Sequence, residues 1–215
     1  NKKNITLIKS LSLIEDKNKI EVKNLIFNEK FEIIELDSVN LNYIDKDKQK
    51  NLINFFKRKN TYYLEGPYFN ANKLIDNLLF DENENTNIFN INNKIAININ
   101  KIRLDNEYYL LNFAGDIFYQ NNEIVKANLI GNFSDDKKFK FTINTNQDNK
   151  ITTLYIDKAE PIVRRYKFIK GFDEGSLDFF SSKKFDEINS TLKIYDFKLK
   201  ELPALTKILT LASLQ

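Results

Sequence analysis

The sequence predicts a mainly β protein, built as a long, twisted antiparallel meander with about three short helices. Three observations lead to this fold class: apolar and polar residues alternate over most of the 215 residues, short polar segments separate the alternating runs, and several runs change phase partway. Alternation with period two places apolar side chains on one face of a strand and polar side chains on the other. Such strands are typical of antiparallel sheets that bury one face.

The alternation is clearest at 94–100, "KIAININ", where Ile95, Ile97 and Ile99 are separated by small or polar residues. The same pattern recurs in "KIEVKNLIF" (19–27), "VNLNY" (39–43), "IVKANLIGNF" (124–133), "FKFTI" (139–143) and "LKIYDFKL" (192–199). Each of these runs is therefore predicted to be a strand with one apolar face.

The connections between the runs are short and polar, such as "DKDK" (45–48), "SDDKK" (134–138) and "NQDNK" (146–150). Short polar connections fit hairpins between sequential strands. The chain has only 5 Gly and 3 Pro and no flexible linker, so residues 1–215 are predicted to form a single segment without an internal domain boundary.

Two runs change phase. Ile99 is followed by Ile102 rather than by an apolar residue at 101, and Ile194 is followed by Phe197. A β-bulge, which inserts one residue opposite the partner strand, would keep the apolar residues on one face and increase the twist. The sequence thus predicts bulged, strongly twisted strands.

Three stretches carry helical spacing and are predicted as short helices near 70–80, 158–170 and 203–214. The first repeats leucine at Leu74 and Leu78, behind an asparagine that suits a helix N-cap. The second contains Pro161 and the third Pro203, each in the first turn, where proline is tolerated.

The composition argues against an enzyme. The chain has no Cys and no His, which removes thiolate and imidazole ligands, nucleophiles and general bases. The carboxylate pairs at 135–136 and 173–174 lie in predicted turns beside lysines and are interpreted as solvated turn charges. No metal, cofactor or catalytic residue is predicted.

The charge pattern does not favour a nucleic-acid partner. The 33 Lys and Arg residues nearly balance the 30 Asp and Glu residues, and both signs are spread along the chain. "FFKRK" (55–59) and "VRRYK" (163–167) interleave cations with aromatics, but a snorkelling polar face explains them more simply.

The sequence contains no Met, no signal peptide and no apolar run of the roughly 20 residues that span a bilayer. A chain of this length without Met is either processed or a segment of a longer protein, and we expect a segment cut from a longer protein.

Residues 155–215 resemble the signature region of the AsmA-like superfamily, in its YhdP-type branch. The resemblance depends on Asp157 and Ala159 opening a helix, on Gly171 and Gly175 flanking a turn, on "IYDFKL" (194–199) and on "LPALTKILTLASL" (202–214). Upstream, "YYLEGPYFNANKLIDNLL" (62–79) is similar to a recurring strand and helix unit of these proteins.

This resemblance implies an open U-shaped groove, apolar inside and polar outside, formed by the antiparallel sheet. It also implies a periplasmic protein of a Gram-negative bacterium, anchored in the inner membrane in its full-length form. The implied partners are the acyl chains of phospholipids, which such proteins are implicated in moving between the inner and outer membranes. The family supplies no catalytic site.

The period-two phase within each strand predicts which residues would line the groove. They are Ile95, Ile97, Ile99, Val125, Leu129, Phe139, Phe141, Ile143, Leu177, Phe179, Leu192 and Ile194. Periodicity alone does not separate an open groove from a closed β-sandwich that acts as a scaffold in outer-membrane biogenesis, because both need one apolar face. A trough-shaped protein that bridges lipopolysaccharide is a further alternative.

Overall fold

The computed structural model describes residues 5–80, 92–120, 123–165, 171–185 and 187–200. The strands in these ranges are β1 (Thr6–Glu15), β2 (Asn18–Phe27), β3 (Ile33–Ile44), β4 (Lys50–Arg58), β5 (Thr61–Asn70), β6 (Asn93–Arg103), β7 (Tyr109–Gln120), β8 (Glu123–Asn132), β9 (Lys138–Asn146), β10 (Asn149–Ile156), β11 (Phe172–Lys184) and β12 (Glu187–Leu199). The helices are α1 (Asn72–Phe80), which follows β5, and α2 (Glu160–Val163), which follows β10.

All twelve strands belong to one sheet, and their order in the sheet is their order in the chain. The predicted mainly β meander is confirmed. Within the described residues, β1 and β12 each pair on one side only, so the sheet does not close into a barrel. An open sheet leaves its apolar face without a second sheet to cover it.

One strand pair departs from the predicted antiparallel pattern. β5 and β6 run parallel, with Leu64 opposite Ile97. Parallel neighbours need a crossover connection, because the chain must return to the end at which the first strand began. α1 lies in this connection, so the helix that the sequence places between two strands is part of a crossover.

The two helices agree with the prediction to different extents. α1 confirms the helix near 70–80, and the Oδ1 atom of Asn70 accepts a hydrogen bond from the Asn72 N–H at 3.2 Å. α2 is shorter than predicted, since it ends at Val163, and Pro161 does lie in its first turn. Residues 166–170 and the predicted helix at 203–214 lie outside the described residues.

The phase changes predicted in β6 and β12 occur without a register shift against β7 and β11. Register shifts of the bulge kind lie instead in the β2–β3, β4–β5 and β7–β8 pairs. β11 and β12 keep one register along their length, with Glu174 opposite Phe197 and Ser176 opposite Tyr195. The phase changes where Glu174 and Asp196 adopt left-handed backbone conformations, with φ of 60° and 53°. Left-handed residues reverse the alternation without an added residue, and Asp tolerates this conformation better than most residues.

The sheet curves so that distant strands meet at one end. Arg164, just after α2, donates to Glu107 in the β6–β7 turn at 2.7 Å and to Asp173 in β11 at 3.0 Å. Four strand spacings separate β7 from β11, and at roughly 4.8 Å each a flat sheet would hold them about 19 Å apart. A single guanidinium bridges the two only because the sheet curls at this end, which we call the capped end.

The hydrophobic core lies on the concave side of this curl, beside the helices. Its buried members come from β6, β7, β8, β10 and β11, from the turns after β6 and β8, and from both helical connections: Ala71, Ile97, Ile99, Ile102, Leu104, Leu110, Leu129, Phe133, Ile156, Ala159, Val163, Phe172 and Leu177. No helix in the described part of the chain combines the length and apolarity needed to cross a bilayer.

Candidate functional site: an apolar inner face

A continuous row of paired residues crosses the whole sheet on its concave side, which we call the inner face. Each residue of the row is the direct register partner of the next, and all but one are large apolar residues: Leu11, Val22, Val39, Phe55, Leu64, Ile97, Gly115, Leu129, Phe141, Leu154, Phe179 and Leu192. Register partners point to the same side of a sheet. The row therefore forms an apolar path across twelve strands, about 50 Å long at ~4.8 Å per strand.

Gly115 is the one member of the row without a side chain, and the backbone requires it. Its φ is +148°, and a Cβ at this position would lie 1.9 Å from the carbonyl oxygen of Asn128 in β8. β7 and β8 approach each other here more closely than any side chain permits. The inner face consequently has a depression between Ile97 and Leu129.

A cavity of about 250 Å³ opens on the inner face toward the strand ends opposite the capped end. We call it the mouth cavity, and its walls are Phe55, Leu64, Ile95, Ile97, Ile117, Tyr119 and Ile124. These residues come from five neighbouring strands, β4 to β8. Among the residues that the structure describes, no charged side chain lines the cavity. Its surface can bind apolar groups but offers almost no directional contact.

Two tyrosines, Tyr119 in the wall of the mouth cavity and Tyr62 beside it, are neutral. Burial raises the pKa of Tyr119, and the nearby Glu123 carboxylate raises it further. Tyr62 is 1% exposed, stacks on Phe55 with ring centroids 5.0 Å apart, and has a pKa that burial raises. Both phenols remain uncharged at neutral pH, and the nearest cation to Tyr62 in the described structure is Lys57, whose Nζ lies 5.7 Å from the centre of the Tyr62 ring.

Arg165 closes the capped end by joining the two helices. The guanidinium donates to the carbonyl oxygens of Asn72, Leu104 and Pro161, to Asn72 Oδ1 and to the Asp76 carboxylate. Its side chain is 9% exposed. This set of contacts fixes α2 against α1 and the end of β6, and it covers the core there.

The structure brings together most of the twelve residues predicted to line a groove. Nine belong to the inner-face core or pack against it: Ile95, Ile97, Ile99, Leu129, Phe139, Phe141, Leu177, Phe179 and Ile194. Ile143 is buried at 7% exposure and pairs with Ala127. Leu192 belongs to the apolar row but is 55% exposed, because β12 is an edge strand.

Val125 does not lie with the others. The register of β7 and β8 shifts between Phe118 and Tyr119, which pair with Lys126 and Ile124 and leave Val125 without a partner in β7. Val125 instead lines a depression with Lys94 and Phe118, whose strand neighbours Ile95 and Ile117 face inward. Ile124 takes the inner position that the sequence pattern assigned to Val125.

Sequence reasoning missed several walls of the mouth cavity, namely Phe55, Leu64, Ile117, Tyr119 and Ile124. The sequence pattern could have identified two of these walls, since Ile117 and Tyr119 alternate with Asp116 and Phe118 in "GDIFYQ". In "FFKRKNTYYL" (55–64) the apolar and aromatic residues adjoin one another, so the face to which each belongs is ambiguous.

Comparison with protein-family models, with curated proteins and with solved structures finds no match. Within the described residues, no group of His, Cys, Asp or Glu side chains is arranged to hold a metal ion. The fold and site define a single-sheet β protein with an open apolar face. The geometry of that face is therefore the basis for proposing a function.

Proposed function

We propose that this protein is a non-enzymatic lipid-binding segment that conducts phospholipid along its apolar inner face. The observation that carries the proposal is the row of register partners that stays apolar across all twelve strands and passes the mouth cavity. A sheet that served only to bury a local core would not need the row to continue to both edges.

Acyl chains are costly to expose to water. Each exposed methylene costs roughly 0.8 kcal/mol, so a bare 16-carbon chain costs on the order of 10 kcal/mol. An apolar path removes most of this cost. Because the sheet is open, a charged headgroup can remain in water while the chains contact the inner face.

Because none of the described walls of the mouth cavity is charged, the cavity affects how a lipid would move as well as how it would bind. Contacts between hydrocarbon and aliphatic side chains are non-directional, so the affinity is similar at neighbouring positions along the row. A lipid that binds equally well at successive positions can slide between them without a high barrier.

The cellular setting follows from the sequence resemblance to AsmA-like proteins. We propose that the full-length protein is anchored to the inner membrane, extends into the periplasm and passes phospholipid between inner and outer membranes.

Lipid that remains bound through purification tests the proposal. The intact protein is incubated with phospholipid vesicles, separated from them, extracted and analysed by mass spectrometry. The expected result is co-purified phospholipid in a fixed ratio to protein. Protein that stays free of lipid, while remaining folded by circular dichroism, would contradict the proposal.

A scaffolding β-domain in outer-membrane biogenesis is the second candidate, and one observation favours it. Ile99, Ile156 and Leu177 are only 1 to 2% exposed, so the inner face beside the capped end is already covered by the protein itself. The scaffold hypothesis predicts lipid-free protein in the same experiment.

A further inference from the structure

Two turns at the strand ends opposite the capped end, which we call the mouth end, carry very exposed phenylalanines. Phe31 lies in the β2–β3 turn and is 80% exposed, and Phe185 lies in the β11–β12 turn and is 67% exposed. They are the two most exposed aromatic residues in the part of the chain that the structure describes. The mouth cavity opens toward this same end of the sheet.

Both phenylalanines adopt a backbone conformation that a bulky side chain disfavours. The φ angle is 60° at Phe31 and 52° at Phe185, in the left-handed region. Other described turns between paired strands give this conformation to polar residues, namely Asp16, Lys48, Lys59, Asp136 and Gln147. Phenylalanine at these two positions disfavours the turn and buries little of its ring in the fold, so the outlier points to a contact outside the chain.

The β2–β3 turn holds Phe31 outward. The Oδ1 atom of Asn28 accepts hydrogen bonds from the N–H groups of Lys30 and Glu32 at 2.9 and 3.0 Å. The Phe31 N–H donates to the carbonyl oxygen of Asn28 at 3.1 Å. Because these bonds fix the backbone of the turn, little conformational entropy is lost when the ring binds a partner.

The charges around the two rings do not explain such a contact. Residues 28–32 carry two carboxylates and one ammonium group, and residues 183–187 carry two of each, so the two turns together have a net charge of −1. Attraction to an anionic surface is therefore weak here. Burial of the two rings is the main source of affinity that these turns offer.

We propose that the mouth end docks on a lipid bilayer, with the rings of Phe31 and Phe185 inserted at the boundary between headgroups and acyl chains. The two turns lie near opposite edges of the sheet. A bilayer offers the same apolar layer to both, whereas a protein partner would need two matching pockets far apart. Docking also turns the mouth cavity toward the lipids that it would receive, and this last role rests on the proposed function.

Flotation of the full chain with phosphatidylcholine vesicles on a density gradient tests the docking. The wild-type protein is expected to float with the vesicles, and to do so equally at high salt, because the contact is apolar. The double variant Phe31→Asn with Phe185→Asn is expected to partition to vesicles at least about tenfold less. Asn tolerates the left-handed backbone, so this variant should unfold at a urea concentration no lower than the wild type does. Loss of flotation in the variant then reports lost docking and not lost structure.

Phe180→Thr is the matched control. Phe180 is 46% exposed, lies within β11 away from its ends, and pairs with Thr153 and Thr191. This variant should float as the wild type does. Wild-type protein that does not float, flotation that high salt abolishes, or equal flotation of the double variant would overturn the proposal. Dimers that the double variant loses, without flotation of the wild type, would overturn it in favour of a second copy of the chain.

A second readout separates this inference from the proposed function. Short-chain phosphatidylcholine, dispersed below its micelle concentration, reaches the inner face without a bilayer, and its retention is measured by mass spectrometry. The double variant is expected to retain as much of this lipid as the wild type does. Retention without flotation of the wild type would overturn the docking alone. Flotation without retention would support the docking and contradict the proposed conduction of lipid.

Discussion

Replacing Gly115 with alanine tests the close approach of β7 and β8 that shapes the inner face. The added Cβ would lie 1.9 Å from Asn128 O and 3.0 Å from Leu129 Cα, so the two strands must move apart. This movement would break two ladder hydrogen bonds, each worth about 1 kcal/mol. Alanine would also add backbone strain of about 1 to 3 kcal/mol at φ of +148°. Together these effects should lower the free energy of unfolding by roughly 3 to 5 kcal/mol. That is a large share of the ~5–15 kcal/mol that stabilises a typical domain.

The matched control is the same substitution one strand away. At Gly131 an added Cβ would meet the Phe113 side chain at 3.3 Å and the Leu110 side chain at 3.5 Å, both of which can adjust. Gly131→Ala is expected to change stability by less than about 1 kcal/mol, because the lower entropy of the unfolded chain offsets mild crowding. Urea denaturation of both variants measures the difference. Equal midpoints and slopes would refute the reasoning.

Three further predictions follow from individual side chains. Arg165→Ala removes the donors to the buried carbonyls at the capped end. It should lower the free energy of unfolding, measured by urea denaturation, by about 3 kcal/mol and should speed amide exchange in α1. Unchanged exchange in α1 would contradict this prediction. Burial opposes ionisation of Asp45, yet hydrogen bonds from Asn70 and neighbouring groups lower its pKa below 3.8. Its stabilisation is therefore complete above the unfolded-state pKa and is lost as the pH falls through the lower folded-state pKa, and Asp45→Asn should flatten this acid dependence; an unchanged acid profile would refute it. Phe141→Asp, in the centre of the apolar row, should lower lipid retention at least about tenfold. Asn144→Asp, on the opposite face of β9, should leave lipid retention unchanged. Equal lipid retention by the two variants would count against the inner-face hypothesis.

The alternation of apolar and polar residues was sufficient to predict most of the fold, because each strand buries only one face. The residues in "KIAININ" keep their phase in the structure, with Ile97 and Ile99 buried and Asn98 exposed. Where one face meets solvent and the other the core, the pattern alone decides the orientation of the strand.

The parallel β5–β6 pair could not be predicted in the same way. The alternation in a strand is identical for parallel and antiparallel neighbours, and a short helix such as α1 fits either a hairpin insertion or a crossover. The direction of β6 depends on where the crossover returns the chain, which no local pattern near Asn72 encodes.

Val125 and Leu192 show a second limit to predicting the site from the sequence. Val125 has the right phase within "IVKANLIGNF", but the register shift between β7 and β8 moves Ile124 into the inner position instead. Leu192 also has the right phase, and its 55% exposure results from the edge position of its strand. Register and edge position are properties of the neighbouring strands, so the sequence of one strand does not reveal them.

A cavity of about 530 Å³ at the capped end, lined in part by Glu160 and Asp196, shows the same limit. Glu160 and Asp196 are 36 positions apart in the numbering of the chain, and neither lies in a recognisable motif. The curl of the sheet and the bond from Ala159 to Gly175 bring their segments to one cavity. Only tertiary structure identifies the buried oxygen of Glu160 as lacking a donor.

Face-specific photo-crosslinking tests the central claim most directly. A photoreactive amino acid is placed at Ile95 or Phe141 on the inner face, and at Asn98 or Lys140 on the opposite face, and the protein is irradiated with phospholipid vesicles. Covalent phospholipid adducts at Ile95 and Phe141, with none at Asn98 and Lys140, are the predicted result. Equal labelling of both faces, or adducts confined to Asn98 and Lys140, would contradict an inner face that binds lipid.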